Sequence, residues 1–260
     1  MNCNIGTESN ASQYYASYEG AKKALAKPAH YLELYNKYFA DLTDKTLSIL
    51  ELGIFDGHSL EYFSKMFPMS KVFGVDRDEC ARTYSTDRIK AYQGSQDDPA
   101  LFKRIMTENG VQQFDIIIDD CSHIGSLTLA SFNILYPLLT PGGIYVIEDW
   151  GAGYYRRWPG GRGISLKNHL KTSRFLPKWF GNISSMLVKP LFGRSAASYA
   201  SFFSEYFKSH QYGIPGVMKQ LVDEIGIADA THDYGIGTHQ TSKLNYLHIY
   251  HGIVFMQKPF

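Results

Sequence analysis

Hydrophobic and polar positions along this chain follow two periods in alternation. From Lys27 to Phe39, the residues Tyr31, Leu34, Tyr35, Tyr38 and Phe39 recur at helical spacing. Thr46 to Gly53 is an apolar run ending in a glycine turn, which predicts a buried strand. The pattern then predicts a helix over 58–67, strands over Lys71–Asp76 and Ile89–Gly94, and a helix over Pro99–Gly110. A strand over Phe114–Asp120 is almost wholly apolar, as a parallel strand covered on both faces requires. A helix over 124–139, a Pro141-Gly142-Gly143 turn and a strand over Ile144–Asp149 complete the series. Residues 150–215 break the pattern. A helix from Gly216 to Ile225 is followed by strands over Lys243–Tyr250 and Gly252–Lys258, joined by a tight turn.

Strand and helix in alternation predict an α/β fold: a doubly wound, mostly parallel seven-stranded sheet with an antiparallel hairpin closing one edge and an inserted lid. The expected divisions are an N-terminal helical segment over 1–45, a ligand-binding core over 46–150, an insert over 151–215, and a final helix and closing hairpin over 216–260.

Composition sharpens this picture. The 260 residues carry 26 Lys and Arg against 25 Asp and Glu, a net charge of +1, and 44% are hydrophobic. That suits a packed core and disfavours a general nucleic-acid binder. Three cysteines (Cys3, Cys80 and Cys121) form no disulfide framework. No secretory leader and no membrane-length apolar run is evident, so a cytoplasmic location is expected.

The segment Glu51-Leu-Gly53-Ile-Phe-Asp-Gly57-His-Ser59 lies where the first strand hands over to a helix, the place where a doubly wound sheet binds its ligand. A dinucleotide loop reads G-x-G-x-x-G. Here Phe55 stands at the middle glycine, and Glu51 and Asp56 put negative charge where a pyrophosphate would press on the helix start. A cationic ligand suits the loop better. S-adenosylmethionine (SAM) carries a sulfonium and an amino group and no phosphate. Asp76, at the end of the second strand, suits ribose hydroxyls. Read alone, the glycines are turn residues; with Asp76 about 20 residues on, they read as a cofactor loop.

Asp119 and Asp120 close the fourth strand, and Glu148 and Asp149 the fifth. Neighbouring strands lie about 4.8 Å apart, so these four carboxylates would repel unless a cation sits among them. Oxygen ligands without a Cys–His cluster favour Mg²⁺. His123 is a candidate general base, because an imidazole titrates near neutral pH. The competing readings are structural: Asp119 as a helix cap and His123 as a helix-terminal hydrogen-bonding residue.

Glu51-x-Gly53-x-x-x-Gly57, Asp76, the loop Gln93-Gly94-Ser95-Gln96-Asp97 and Pro141-Gly142-Gly143 together resemble class I SAM-dependent methyltransferases. More narrowly, Ile118-Asp119-Asp120-Cys121-Ser122-His123 with Tyr145-Val-Ile-Glu148-Asp149 resembles the metal-dependent sugar O-methyltransferases of macrolide biosynthesis. Cephalosporin-hydroxylase-like proteins share these motifs. The resemblance covers about residues 27–150 and the terminal hairpin. It implies a Rossmann-like methyltransferase sheet and a SAM- and Mg²⁺-dependent methyl transfer to a hydroxyl of a sugar, glycosylated natural product or glycolipid. It implies Asp120, Glu148 and Asp149 as metal ligands and leaves Asp119 nearer the SAM. The implied cofactor set is Glu51, Gly53, Ser59, Asp76, Gly94, Ser95, Gln96 and Asp119. Related enzymes differ in their base, and Ser122 before the histidine favours His123. His30, in a His-Tyr-x-x-x-Tyr helix, is expected beside the cofactor pocket. Two alternatives stay open: a phenolic or catechol-like acceptor, and a SAM-binding protein without catalysis. A ferrous oxygenase is disfavoured, since such sites use two histidines and one carboxylate.

The insert alters the meaning of the net charge. Residues 151–210 contain ten Lys and Arg and a single acid, Glu205, so the remainder of the chain carries a net −8. A basic segment after the fifth strand reads as a substrate lid, with Tyr154, Tyr155, Trp158 and Trp179 available to stack on sugar rings. The acceptor is then anionic or lipid-linked, and Arg174-Phe-Leu-Pro-Lys-Trp-Phe suggests peripheral membrane contact. A solvated basic surface or a contact between copies in a homo-oligomer explains the charge equally well.

Overall fold

The computed structural model describes residues 27–78, 85–155, 157–161, 213–231 and 238–260. Residues 1–26 and most of the insert (162–212), including Trp179 and the Arg174 segment, lie outside the described residues.

Seven strands form one sheet: β1 (Ser48–Leu52), β2 (Lys71–Asp76), β3 (Ile89–Gln93), β4 (Phe114–Asp119), β5 (Leu139–Ile147), β6 (Tyr246–Ile249) and β7 (Val254–Gln257). Their order is β3-β2-β1-β4-β5-β7-β6. The first five run parallel; β7 pairs antiparallel with β5, and β6 with β7. The closing hairpin is thus part of the core sheet and not an appendage to it.

Alternate strand residues point to opposite faces. Ile49, Ile116, Ile118 and Val146 pack on one side with Tyr35 and Phe39 of α1 (Ala29–Phe39) and Phe63 of α2 (His58–Met66). Leu50, Ile117, Tyr145 and Ile147 pack on the other with Phe102 of α3 (Pro99–Asn109), Leu135 of α4 (Gly125–Leu135) and Val217 of α5 (Gly213–Ile225). Full burial of each such side chain stabilises by about 1.5–3 kcal/mol.

Local chemistry sets the boundaries. Asp98 caps α3 by accepting from the Ala100 amide, Pro99 opens it, and Gly110 ends it in the left-handed conformation. Pro28 opens α1 and disfavours helix at Lys27, so the chain turns there. Three expectations are corrected. Pro141-Gly142-Gly143 is not a turn before β5 but an irregularity within it, since pairing with β4 resumes at Ile144 after a register shift. The helix expected over 124–139 stops at Leu135, a short 3₁₀ turn (Tyr136–Leu138) leading into β5. The helix expected from Gly216 begins at Gly213. Among the described residues no helix is long and apolar enough to cross a membrane.

Candidate active site

The C-terminal ends of β1, β2, β4 and β5 lie side by side and bring the acidic residues together. Gly53 makes the tightest contact. It has φ +81°, and a Cβ there would lie 2.1 Å from the Asp120 carbonyl oxygen, so only glycine lets the loop after β1 press on the end of β4. The Asp120 amide donates to the Leu52 carbonyl at 2.9 Å, and the Gly53 amide to that of Val75 at 2.8 Å. Asp76 fixes the loop further. Its Oδ2 accepts from the Ile54 and Phe55 amides at 3.0 Å each, and its Oδ1 from the Asp78 amide.

Strand alternation sorts the acids. Asp119 shares its face with Ile117, and its Oδ2 accepts from Ser131 of α4 at 2.6 Å. Burial pushes its carboxyl up to about 6. Gln96 joins the same group: its Nε2 lies 3.3 Å from Ser131 Oγ, and its Oε1 accepts from the Ser122 amide. Ser95 donates to Asp97, and the Gly94 amide to the Asp76 carbonyl. Asp120, Glu148 and Glu51 follow Ile118, Val146 and Ile49 onto the opposite face, under α1.

There they meet Lys27. Its Nζ lies 2.6 Å from Glu148 Oε1, 2.8 Å from Asp120 Oδ2 and 3.5 Å from Glu51 Oε1, and the side chain is only 4% exposed. Tyr35 of α1 also donates to Glu148 Oε1, and Ser59 of α2 to Glu51 Oε2 at 2.7 Å. Burial pushes the Glu51, Asp120 and Glu148 carboxyls up to about 7, and neighbouring carboxylates add to it: Asp149 acts on Asp120, Asp120 on Glu148, and Glu148 on Glu51. For Lys27 burial acts downward, but Asp120, Glu148 and Glu51 together hold the ammonium well above its ordinary range.

The remaining oxygens point outward. Asp120 Oδ1 lies 3.8 Å from His123 Nε2, and Asp149 Oδ2 lies 3.9 Å from the same nitrogen. Tyr31 of α1 holds the other Asp149 oxygen by donating to Oδ1 at 2.7 Å. His123 and Asp149 each have φ +51°, a left-handed conformation uncommon outside glycine, although His and Asp are among the side chains that adopt it most readily. Thus His123 precedes α4 and is not a helix-terminal residue. Trp158 faces the histidine with ring centres 5.9 Å apart, and its indole donates to the Ser122 carbonyl.

These residues fit a divalent cation. One ligand atom from each of Asp120, His123 and Asp149 lies within 4.8 Å of the others, and the carboxylate set is the hard-oxygen chemistry such an ion prefers. Buried Glu51 Oε1 accepts no hydrogen bond. Glu148, expected as a ligand, has Oε1 engaged by Lys27 and Tyr35. Ser59, expected in the cofactor set, donates to Glu51 Oε2. His30 stacks on His251 of the hairpin turn and bonds its carbonyl. Lys27 escaped the pattern of periods, although four converging carboxylates did call for a cation.

Comparison with known proteins gives the fold a name. No family model matches the chain. It is 39% identical over 139 residues to L-olivosyl-oleandolide 3-O-methyltransferase of Streptomyces antibioticus, covering 50% of this chain and 34% of that protein. It is 35% identical over 133 residues to mycinamicin VI 2''-O-methyltransferase of Micromonospora griseorubida, covering 48% and 32%. The solved MycE methyltransferase of the mycinamycin pathway, in complex with Mg and SAH, superposes with a TM-score of 0.61 at 24% identity, over 87% of this chain and 49% of that one. This is a class I SAM-dependent methyltransferase fold. The chain spans about a third of the length of the curated relatives it matches. Within a class I methyltransferase sheet, the glycine loop after β1 and the acids after β4 and β5 occupy the ligand end.

Proposed function

We propose that this chain carries the catalytic part of a SAM- and Mg²⁺-dependent O-methyltransferase acting on a hydroxyl of a sugar in a glycosylated natural product. The observation that carries the reading is the packing of the Gly53 loop on Asp120, which puts a cofactor-type loop beside the outward oxygens of Asp120 and Asp149 and His123 Nε2. Relatives named as sugar O-methyltransferases support it.

When bound, SAM supplies a methyl group on a sulfonium, and a divalent ion supplies charge that lowers the pKa of an acceptor hydroxyl. The chain's residues supply the rest. The Gly53 loop, Asp76 and the Gly94–Gln96 turn form the cofactor wall, with Glu51 and Asp119 behind it. Asp120, Glu148 and Asp149 hold the ion. Tyr31 keeps Asp149 aimed, and Trp158 offers an aromatic face beside His123 for a sugar ring. His123 Nε2 takes the hydroxyl proton as the methyl group is transferred. A second reading has its own support: the clustering of His123 Nε2 with two carboxylate oxygens is also ligand geometry.

The test is methyl transfer from labelled SAM to a panel of glycosylated macrolides, other glycosides and catechols, with Mg²⁺ or with EDTA. Metal-stimulated labelling of a glycoside is expected. Turnover unaffected by EDTA would overturn the metal role, and labelling of catechols alone would overturn the sugar acceptor. Mg²⁺ binding that disappears in His123→Ala would move the histidine from base to ligand.

A further inference from the structure

Lys27 is a charged group at this site that the methyl-transfer reading leaves without a task. Its Nζ has three protons, and three carboxylates surround it at 2.6, 2.8 and 3.5 Å. Two of those carboxylates, Asp120 and Glu148, belong to the set assigned above to the divalent ion. A buried carboxylate cluster of this kind is strongly unfavourable without a compensating cation, and Lys27 provides one from within the chain. Its place is built: Pro28 turns the backbone just before α1, and Tyr35, nearly two turns into the helix, shares Glu148 Oε1 with it.

We propose that the Lys27 ammonium is an internal cation of this site and that a divalent ion loads the carboxylates in competition with it, the two drawing on Asp120 and Glu148. This rests on the metal-dependent reading above. A divalent ion held by Asp120 and Asp149 would share the Asp120 carboxylate with the ammonium, and two cations that close would repel. Glu51 Oε1 gives the ammonium somewhere to retreat. It is 3.5 Å away and accepts no hydrogen bond. Lys27 is therefore a positioning residue: it holds Asp120 and Glu148 apart and ready while no ion is bound, and sets how tightly one is taken.

The experiment is Mg²⁺ titration by calorimetry, with SAH binding measured alongside, on wild type, Lys27→Met and Lys27→Arg. Lys27→Met is expected to bind Mg²⁺ at least about tenfold more tightly than wild type and to gain more thermal stability from it. Lys27→Arg, which keeps the charge, should show no such gain. Folded Lys27→Met that binds SAH but takes Mg²⁺ no more tightly overturns the competition and leaves the methyltransferase reading standing. Wild type that binds neither SAH nor Mg²⁺ overturns both. Should Lys27→Met not fold, wild type decides: acetic anhydride labelling read by mass spectrometry should modify Lys27 faster with saturating Mg²⁺ than without. Unchanged labelling overturns the proposal.

Discussion

The two sides of Asp120 are built on opposite principles. On the inner side, Lys27, Tyr35 and Ser59 meet Glu148, Glu51 and Asp120 Oδ2 at hydrogen-bonding distances in a buried pocket. On the outer side, His123 Nε2 stands 3.8 Å from Asp120 Oδ1 and 3.9 Å from Asp149 Oδ2, and the Asp149 side chain is 52% exposed. The inner side uses ordinary backbone and a charge supplied by the chain. The outer side holds two of the three described non-glycine residues with positive φ. A network paired at all but Glu51 Oε1 keeps its shape without a ligand, whereas strained, loosely paired groups are those a ligand is recruited to complete.

The strongest way to break this contrast is Asp120→Ala, which removes the residue common to both sides. Metal-stimulated methyl transfer should fall to background, beyond the roughly 10- to 100-fold loss typical of an outer partner, while SAH binding measured by calorimetry persists. His123→Ala touches the outer side alone. Its turnover should drop about 10²- to 10³-fold with SAH affinity unchanged; lost SAH binding would contradict the base role. Tyr31→Phe releases Asp149 Oδ1 and should weaken Mg²⁺ about tenfold, which titration can read. Gentlest is pH. Glu51, Asp120 and Glu148 titrate at about 7 in the folded, metal-free chain, against about 4 when unfolded. Between those values the folded state binds more protons, so Tm in EDTA should decline as pH rises from 5 through 7. Mg²⁺, which favours the ionised forms, should flatten the slope.

The contrast also explains what the sequence made legible. Period alone located β2 to the residue and the closing hairpin to within a few positions, because β2 and β7 are largely buried runs bounded by turn residues, while β6 is an edge strand with half its residues exposed. The acids after β1, β4 and β5 were legible because motif and strand end coincide. The separation of Asp119 from Asp120 is strand alternation; the charge argument groups all four carboxylates, and the family resemblance alone sets Asp119 apart on the cofactor side. Lys27 was missed because its role depends on a fold that brings α1 over the sheet. The left-handed turns at His123 and Asp149 carry no glycine or asparagine to announce them. Pro141-Gly142-Gly143 misled because pairing with β4 overrides local turn chemistry.

Gly252 in the hairpin turn has φ +76°, and a Cβ there would fall 2.1 Å from the Tyr31 hydroxyl. The Trp150 amide donates to the Gly252 carbonyl at 3.3 Å, and the Trp150 indole to that of Tyr250 at 2.9 Å. The Asp149 corner is therefore held from both ends of the described chain. A ribosome delivers α1 and the first five strands well before β6 and β7, and a nascent chain folds from the part already made. Until the hairpin emerges, β5 lacks its outer neighbour, and Trp150, next to Asp149, lacks the Gly252 and Tyr250 carbonyls. The order of synthesis thus keeps the reactive corner unfinished until the sheet is closed.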